Sequence, residues 1–347
     1  MKSLICLLAL LSSTTSFSIS PSGKDFHKFG RWWKRVEIPG AKCGNGKPYA
    51  VWVDKGRQEK ISIELMGGGA CWSKETCYGP NFKSWLFPIP RVPVMSMLSV
   101  KNKRISPVAD GTYVYFPYCN ADVWAGRHEA KYLYNKVTYH KGHENFRNGL
   151  AYLIENNYLS KDNVTDLLVY GASAGALGSF LHGKHIASQF PNLKNKTMIA
   201  DAPGLHFGDT FWKKFPKKFI SDIDASLKEI GLFVDYTSGN LSGHIKTLCE
   251  SMSDWNIGVL QASRDYFMSH FFGEISQDDH HDLVFSTNGI WERSKEFANC
   301  SVWIADSGHH TLLLSPYSWY MKAGGVYAKD FAKSIISQKR NISTRDE

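Results

Sequence analysis

Short apolar runs rich in β-branched residues recur along this chain, separated by stretches with helical spacing or by glycine-rich turns. Residues 36–39 and 49–53, with Gly40, Gly44 and Gly46 between them, predict an opening hairpin. Residues 61–66, 112–117, 166–170, 197–200, 257–261 and 302–305 read as buried strands. Residues 143–156 carry Phe146, Leu150, Leu153 and Ile154 on one helical face, and residues 174–187 and 325–337 also read as helices. From 81 to 103 Pro, Met and aromatic residues mix without clear period. From 205 to 255 no strand is evident, and aromatics interleave with lysines, which we read as a mostly helical insertion over the sheet edge. Strands alternating with helices argue for an α/β architecture, a mostly parallel sheet with helices on both faces. With no repeat, low-complexity linker or break in composition, a single domain over 19–338 and a loose polar tail over 339–347 are expected.

Composition changes this picture chiefly at the ends and at the surface. The 347 residues are 43% hydrophobic and 21% charged, as in a globular chain. Residues 1–18 have the form of a secretory leader: Lys2, an apolar run over 4–11, then small residues at Ser16 and Ser18. No run reaches the roughly 18 apolar residues of a membrane span, so an exported, secreted protein without a transmembrane segment is expected. Beyond Cys6 the cysteines are Cys43, Cys71, Cys77, Cys119, Cys249 and Cys300, an even set that suggests disulfides in an oxidising compartment. Cys71 and Cys77 can close a short local loop, whereas a zinc site would call for paired C-x-x-C spacing. Glycosylation sequons begin at Asn163, Asn195, Asn240, Asn299 and Asn341. The net charge of +9 points to an acidic partner, and export favours a polysaccharide or cell surface over nucleic acid. A lysine-rich soluble surface accounts for the same number.

The chemistry centres on Gly171-Ala172-Ser173-Ala174-Gly175, set between a strand and a helix. This is the Gly-x-Ser-x-Gly pattern of the α/β-hydrolase nucleophile elbow, in which a tight turn exposes the serine at the carboxyl edge of the sheet. A serine that merely caps the helix is the alternative. A serine nucleophile needs a histidine to take its proton and a carboxylate to orient that histidine. Asp201, Asp265 and Asp306 all follow strands, and Asp265, one strand before the histidines, matches the hydrolase order Ser…Asp…His. His309 and His310 compete as base. Asp201 can instead line the substrate site or orient the loop around Ser173. The run Gly67-Gly68-Gly69 follows an early strand, where backbone amides of Gly68 or Gly69, with that of Ala174, would stabilise an oxyanion. The tandem His280-His281, flanked by aspartates, reads as a flexible acidic loop rather than a metal site.

Leu65 to Trp72 with Thr76-Cys77, Pro117 to Gly126, Gly171 to Gly175, Ala200 to Gly204 and Gly308 to Thr311 together resemble the pectin acetylesterase and Notum family, in the family's order. The resemblance implies an extracellular serine carboxylesterase without metal or cofactor. It implies Ser173 as nucleophile, Asp265 as acid, His310 as base, and Gly68, Gly69 and Ala174 as oxyanion donors. The stretch around Asp265 follows the family pattern only loosely. Trp72, Trp124 and Trp212 can stack on sugar rings, and Asp201 can border the substrate. The expected activity is deacetylation of an acidic polysaccharide such as pectin, by a monomer. Removal of a fatty acyl group from a protein or lipid is the alternative, and a catalytically idle polysaccharide binder is a third. An acetyl group needs only a shallow pocket, a long acyl chain a deep apolar one.

Overall fold

The computed structural model describes residues 25–79, 84, 86, 93 and 96–346, so the expected leader lies outside the described residues. The chain opens with strands β1 (Phe26–Lys28), β2 (Arg31–Lys42), β3 (Pro48–Asp54) and β4 (Arg57–Leu65), then a short helix α1 (Lys74–Tyr78) and strand β5 (Gly111–Phe116). A hairpin follows, β6 (His128–Leu133) and β7 (Lys136–His140), then helix α2 (Gly142–Glu155), strand β8 (Asp166–Ala172), helix α3 (Ala174–Ser188) and strand β9 (Asn195–Asp201). The insertion holds a 3-10 turn at Phe211–Lys214 and helices α4 (Lys217–Glu229) and α5 (His244–Ser251). The rest is β10 (Asn256–Ala262), a π-helix (Phe267–Gly273), α6 (Gln277–Phe285), α7 (Ile290–Ser294), β11 (Cys300–Ala305), the short pair β12 (Lys322–Ala323) and β13 (Val326–Tyr327), α8 (Ala328–Ile336) and β14 (Thr344–Arg345).

Ten strands form one sheet in the order β1-β2-β3-β5-β4-β8-β9-β10-β11-β14. The first three pairings are antiparallel and those from β5 onward are parallel. Buried on both faces, β5, β10 and β11 expose no residue along their length, which is why they read as continuous apolar runs rather than alternating ones. Because these strands run in one direction, the segments after β4, β8, β9, β10 and β11 all leave the sheet at the same edge. That edge collects the glycine run, Ser173, Asp201, Asp265 and His310.

Three disulfides, Cys43–Cys119, Cys71–Cys77 and Cys249–Cys300, use all six cysteines beyond Cys6. No described helix is long and apolar enough to cross a membrane.

Three segments depart from the sequence expectation. The tail is pinned at its end: Thr344 and Arg345 pair with Trp303 and Ile304 of β11. Its backbone takes up the free edge of that strand, which no apolar pattern announces. The His280-His281 segment is helix α6, not a loop, started by a capping box in which Ser276 and Asp279 exchange side-chain and backbone bonds. The β6–β7 hairpin is largely polar and was not expected at all.

At the elbow the backbones of three elements touch. A Cβ added at Gly171 would lie 2.0 Å from the Gly175 carbonyl oxygen, and one at Gly175 would lie 1.9 Å from the Leu65 oxygen. Both obstacles are main chain and cannot rotate away. Gly175→Ala is therefore expected to destabilise the fold by about 3 kcal/mol or more, read as a lower denaturation midpoint at unchanged denaturant slope.

Candidate active site

Ser173 has φ 56° and ψ −125°, a backbone conformation that L-residues rarely adopt. Its amide donates to the Asp201 carbonyl at 2.8 Å and its carbonyl accepts from Ala176 at 2.8 Å, which fixes the turn from both sides. Its hydroxyl makes no capping bond to helix α3, so the helix-cap alternative does not describe it. The hydroxyl instead lies 2.8 Å from His310 Nε2. His310 Nδ1 lies 2.8 Å from Asp265 Oδ2, and the other oxygen of that carboxylate accepts from the Met268 amide at 3.0 Å. Asp265 is fully buried. With Nδ1 committed to a carboxylate it is the donor, leaving Nε2 as the acceptor that faces the serine.

The competing residues have other places. His309 packs its ring near Tyr317, with centroids 5.6 Å apart. Asp306 is exposed and paired with Arg264 at 2.7 Å. Asp201 is fully buried and binds the histidine's own loop: its two oxygens accept from the amides of Leu312 and Leu313 at 2.7 and 2.8 Å, and Tyr170 donates at 3.3 Å. Burial raises the Asp201 carboxyl to about 6, although the Leu312 and Leu313 amides, the nearby His310 and the Tyr170 hydroxyl all favour its charged form. For His310 burial works towards a lower pKa, but the charge and hydrogen bond of Asp265 and the charge of Asp201 outweigh it, and the imidazole is held above its ordinary value.

The glycine run after β4 presses against the serine. A Cβ at Gly67 would meet the Ala172 oxygen at 2.3 Å and Ser173 Cβ at 2.7 Å. The carbonyls beyond it are held by side chains, Gly68 by Ser84 Oγ at 2.8 Å and Gly69 by the Tyr118 hydroxyl at 2.7 Å. Gly69, with φ 72°, borders the same cavity as Ser173 and Ala174.

That cavity is the feature sequence reasoning could not reach. It has a volume of about 160 Å³. Its walls are almost wholly apolar: Leu177, Phe180 and Leu181 of α3, Phe211, Trp212 and Phe215 of the insertion, Phe219, Ile223 and Leu227 of α4, and Met268 and Phe272 of the π-helix, among others. Burial lowers the pKa of His244 in the wall, which favours its neutral form. Of the tryptophans, Trp72 and Trp212 line the cavity, whereas Trp124 does not. Trp124 is 1% exposed, donates from Nε1 to the Met66 carbonyl at 3.1 Å and fills the space beside Gly178. It is a core residue, not a sugar platform. Asp201 is likewise absent from the cavity wall.

One set of ligand-type side chains meets elsewhere, Cys71, Cys77 and His140. The two sulfurs are bonded to each other, and both nitrogens of His140 have partners, the Asn120 carbonyl at 2.9 Å and the Tyr132 hydroxyl at 3.1 Å.

The tandem histidines of α6 stand behind the acid's loop. His280 Nδ1 donates to the Ser263 carbonyl at 2.6 Å, and His281 Nδ1 lies 2.9 Å from Ser263 Oγ.

A sequence profile of the pectinacetylesterase family matches residues 33–219, a stretch that holds the glycine run, Ser173 and Asp201 but ends before Asp265 and His310. No curated protein matches the chain. Among solved structures, the Wnt deacylase Notum from Drosophila has a similar fold, with TM-score 0.57 and 15% sequence identity over 91% of this chain and 96% of that one. Matched over more than half its length, this chain belongs to the pectinacetylesterase family of esterase-type hydrolases.

Proposed function

We propose that this protein is a secreted serine carboxylesterase that removes a fatty acyl group from an alcohol. The apolar cavity opening on Ser173 carries this reading. An engineered apolar cavity of about 150 Å³ takes up benzene. By that measure, roughly six carbons of an acyl chain enter without rearrangement. An acetyl group would leave most of these walls bare. The cavity therefore favours the fatty acyl alternative over the polysaccharide deacetylation expected from charge and resemblance. The intact nucleophile, base and acid weigh against an idle binder.

In the mechanism, His310 Nε2 takes the proton of Ser173 as the hydroxyl attacks the ester carbon. The oxyanion forms against the amides of Gly69 and Ala174, with Gly68 next in line. His310 returns the proton to the departing alcohol. Water, deprotonated by the same nitrogen, then releases the fatty acid from Ser173. Asp265 fixes the tautomer and stabilises the imidazolium. Asp201 acts as a positioning residue, holding the loop that carries His310. The disulfides and the leader-like start support export.

Across a series of p-nitrophenyl esters, kcat/KM is expected to rise about fourfold per added methylene, the worth of about 0.8 kcal/mol of buried CH₂. That makes the six-carbon ester on the order of 10²-fold better than the acetate. A flat profile, with acetate released from acetylated pectin, would return the polysaccharide reading. Ser173→Ala is expected to lower kcat by at least ~10³-fold on every ester without changing the fold.

The base must be neutral, and its pKa is raised. Activity is therefore expected to fall on acidification through a value above the ordinary ~6.5 of histidine. Asp201→Asn removes a negative charge that lifts His310, so this limb should move to lower pH while kcat drops at its plateau and KM changes little. A lower plateau with an unmoved limb would assign Asp201 a purely structural part.

A further inference from the structure

The rim of the cavity carries an aromatic surface that the cavity walls do not require. Directly after Asp265 the backbone enters the π-helix, whose Met268 and Phe272 face inward to line the cavity. Tyr266 and Phe267 stand on the outside, 48% and 46% exposed. The rings form one continuous series: Phe272 to Phe271 at 5.1 Å, Phe271 to Phe267 at 6.0 Å and Phe267 to Tyr266 at 6.0 Å between centroids, with His270 stacked on Tyr266 at 5.3 Å. Phe267 also packs on His310 at 5.2 Å. Apolar surface thus passes from the cavity wall, beside the catalytic imidazole, out to solvent. A contiguous patch of this kind on a soluble surface marks an interaction site.

Its charged neighbours say what it meets. Lys214 Nζ donates to the Phe272 carbonyl and pairs with Glu274 at 3.5 Å, which brings the lysine-rich segment of the insertion against the π-helix. Lys213 precedes Lys214 in the chain and Lys217 follows it by three residues; both are exposed, and no ion pair holds either among the described residues. Lys218 is already paired with Asp222. Half-exposed aromatic rings on an element that a lysine-rich segment contacts are the composition of surfaces that sit at the headgroup level of a bilayer, with the rings in the interface and the lysines on anionic lipid. The net charge of +9 has the matching sign.

We propose that this rim docks the protein on an anionic lipid bilayer, so that an acyl chain passes from the membrane into the cavity without crossing water. The choice of a lipid surface rests on the fatty acyl reading above.

The test is partitioning of the full chain onto vesicles of phosphatidylcholine with 30 mol% phosphatidylserine, against phosphatidylcholine alone, by flotation. Wild type is expected to bind the anionic vesicles more tightly and to lose that preference as salt is raised. K213Q/K217Q should weaken binding to anionic vesicles about 25-fold, from about fivefold for each lysine. Tyr266→Ser should weaken binding to both vesicle types at least about threefold. Both variants should hydrolyse p-nitrophenyl acetate like wild type, which shows that they fold. Absence of vesicle binding, or binding that neither variant weakens, would overturn the proposal. Retention on polygalacturonate that depends on Lys213 and Lys217 but not on Tyr266, without vesicle binding, would overturn it in favour of an acidic polysaccharide. Binding is read without turnover. A flat chain-length profile with vesicle binding intact would therefore sink the fatty acyl reading alone, and a steep profile without binding the docking alone.

Discussion

The active edge depends on one backbone contact, the first turn of α3 seated on the carbonyl of Leu65 at the end of β4. Only glycine at 175 allows it, since any Cβ would lie 1.9 Å from that oxygen. Seating the helix so close forces the strand-to-helix turn into a single residue, and Ser173 takes the strained conformation that results. Strain of this kind costs about 1–3 kcal/mol. The turn's bonds to Asp201 and Ala176 hold it in place. The same closeness brings Gly67 against the serine and sets Gly69 on the cavity that Ser173 borders. Ser173 and the glycines proposed to stabilise the anion are thus placed by one packing event rather than separately.

Two buried carboxylates divide the work on the histidine. Asp265 meets the imidazole directly, and its second oxygen is fixed by the Met268 amide. Asp201 never touches the ring. It spends both oxygens on the two amides just beyond it, so the loop cannot swing without leaving a buried carboxylate unsatisfied. Its backbone carbonyl also receives the Ser173 amide. One residue at the end of β9 therefore ties the turn at Ser173 to the loop that carries His310, and its charge adds to that of Asp265 in holding His310 above the ordinary range.

The cavity exists because α4 has two faces with separate obligations. Phe219, Ile223 and Leu227 turn inward to the cavity. Asp222, Ser226 and Glu229 turn to the body of the protein: Asp222 accepts from the Arg127 amide and from His128 Nδ1, each at 2.6 Å, Ser226 donates to the Ala125 carbonyl, and Glu229 pairs with Arg147 at 2.7 Å. Burial acts to raise the Asp222 pKa, but these donors and Lys218 outweigh it, so the carboxylate stays charged. A void of about 160 Å³ costs roughly 4 kcal/mol in lost packing if left empty. The polar anchors on the far face are what keep the roof from collapsing onto it, and an occupant of matching shape would recover the loss.

How much of this was legible in the sequence follows from how local each cause is. The central parallel strands were, because strands buried on both faces read as apolar runs, and their order placed Ser173, Asp265 and His310 on one edge, whereas the edge strands β1 and β14 carry no such run. The choice between His309 and His310 rested on resemblance, since neighbouring loop residues differ only in where the chain turns them. The polar β6–β7 hairpin and helix α6 lack an apolar period, and for α6 the Ser276–Asp279 cap was the one available signal. For Trp124 the sequence is silent, because an indole that fills the core and one that stacks on a ligand are spelled alike. Cavity depth was the least accessible. It is set by the distance between α3 and an insertion some 40 residues further on, and that distance is a difference between packing terms no single stretch contains. Yet it is this non-local quantity, not the locally written nucleophile, that separates an acetyl esterase from a fatty acyl one. Within a fold that keeps one elbow, substrate choice can change through the insertion alone.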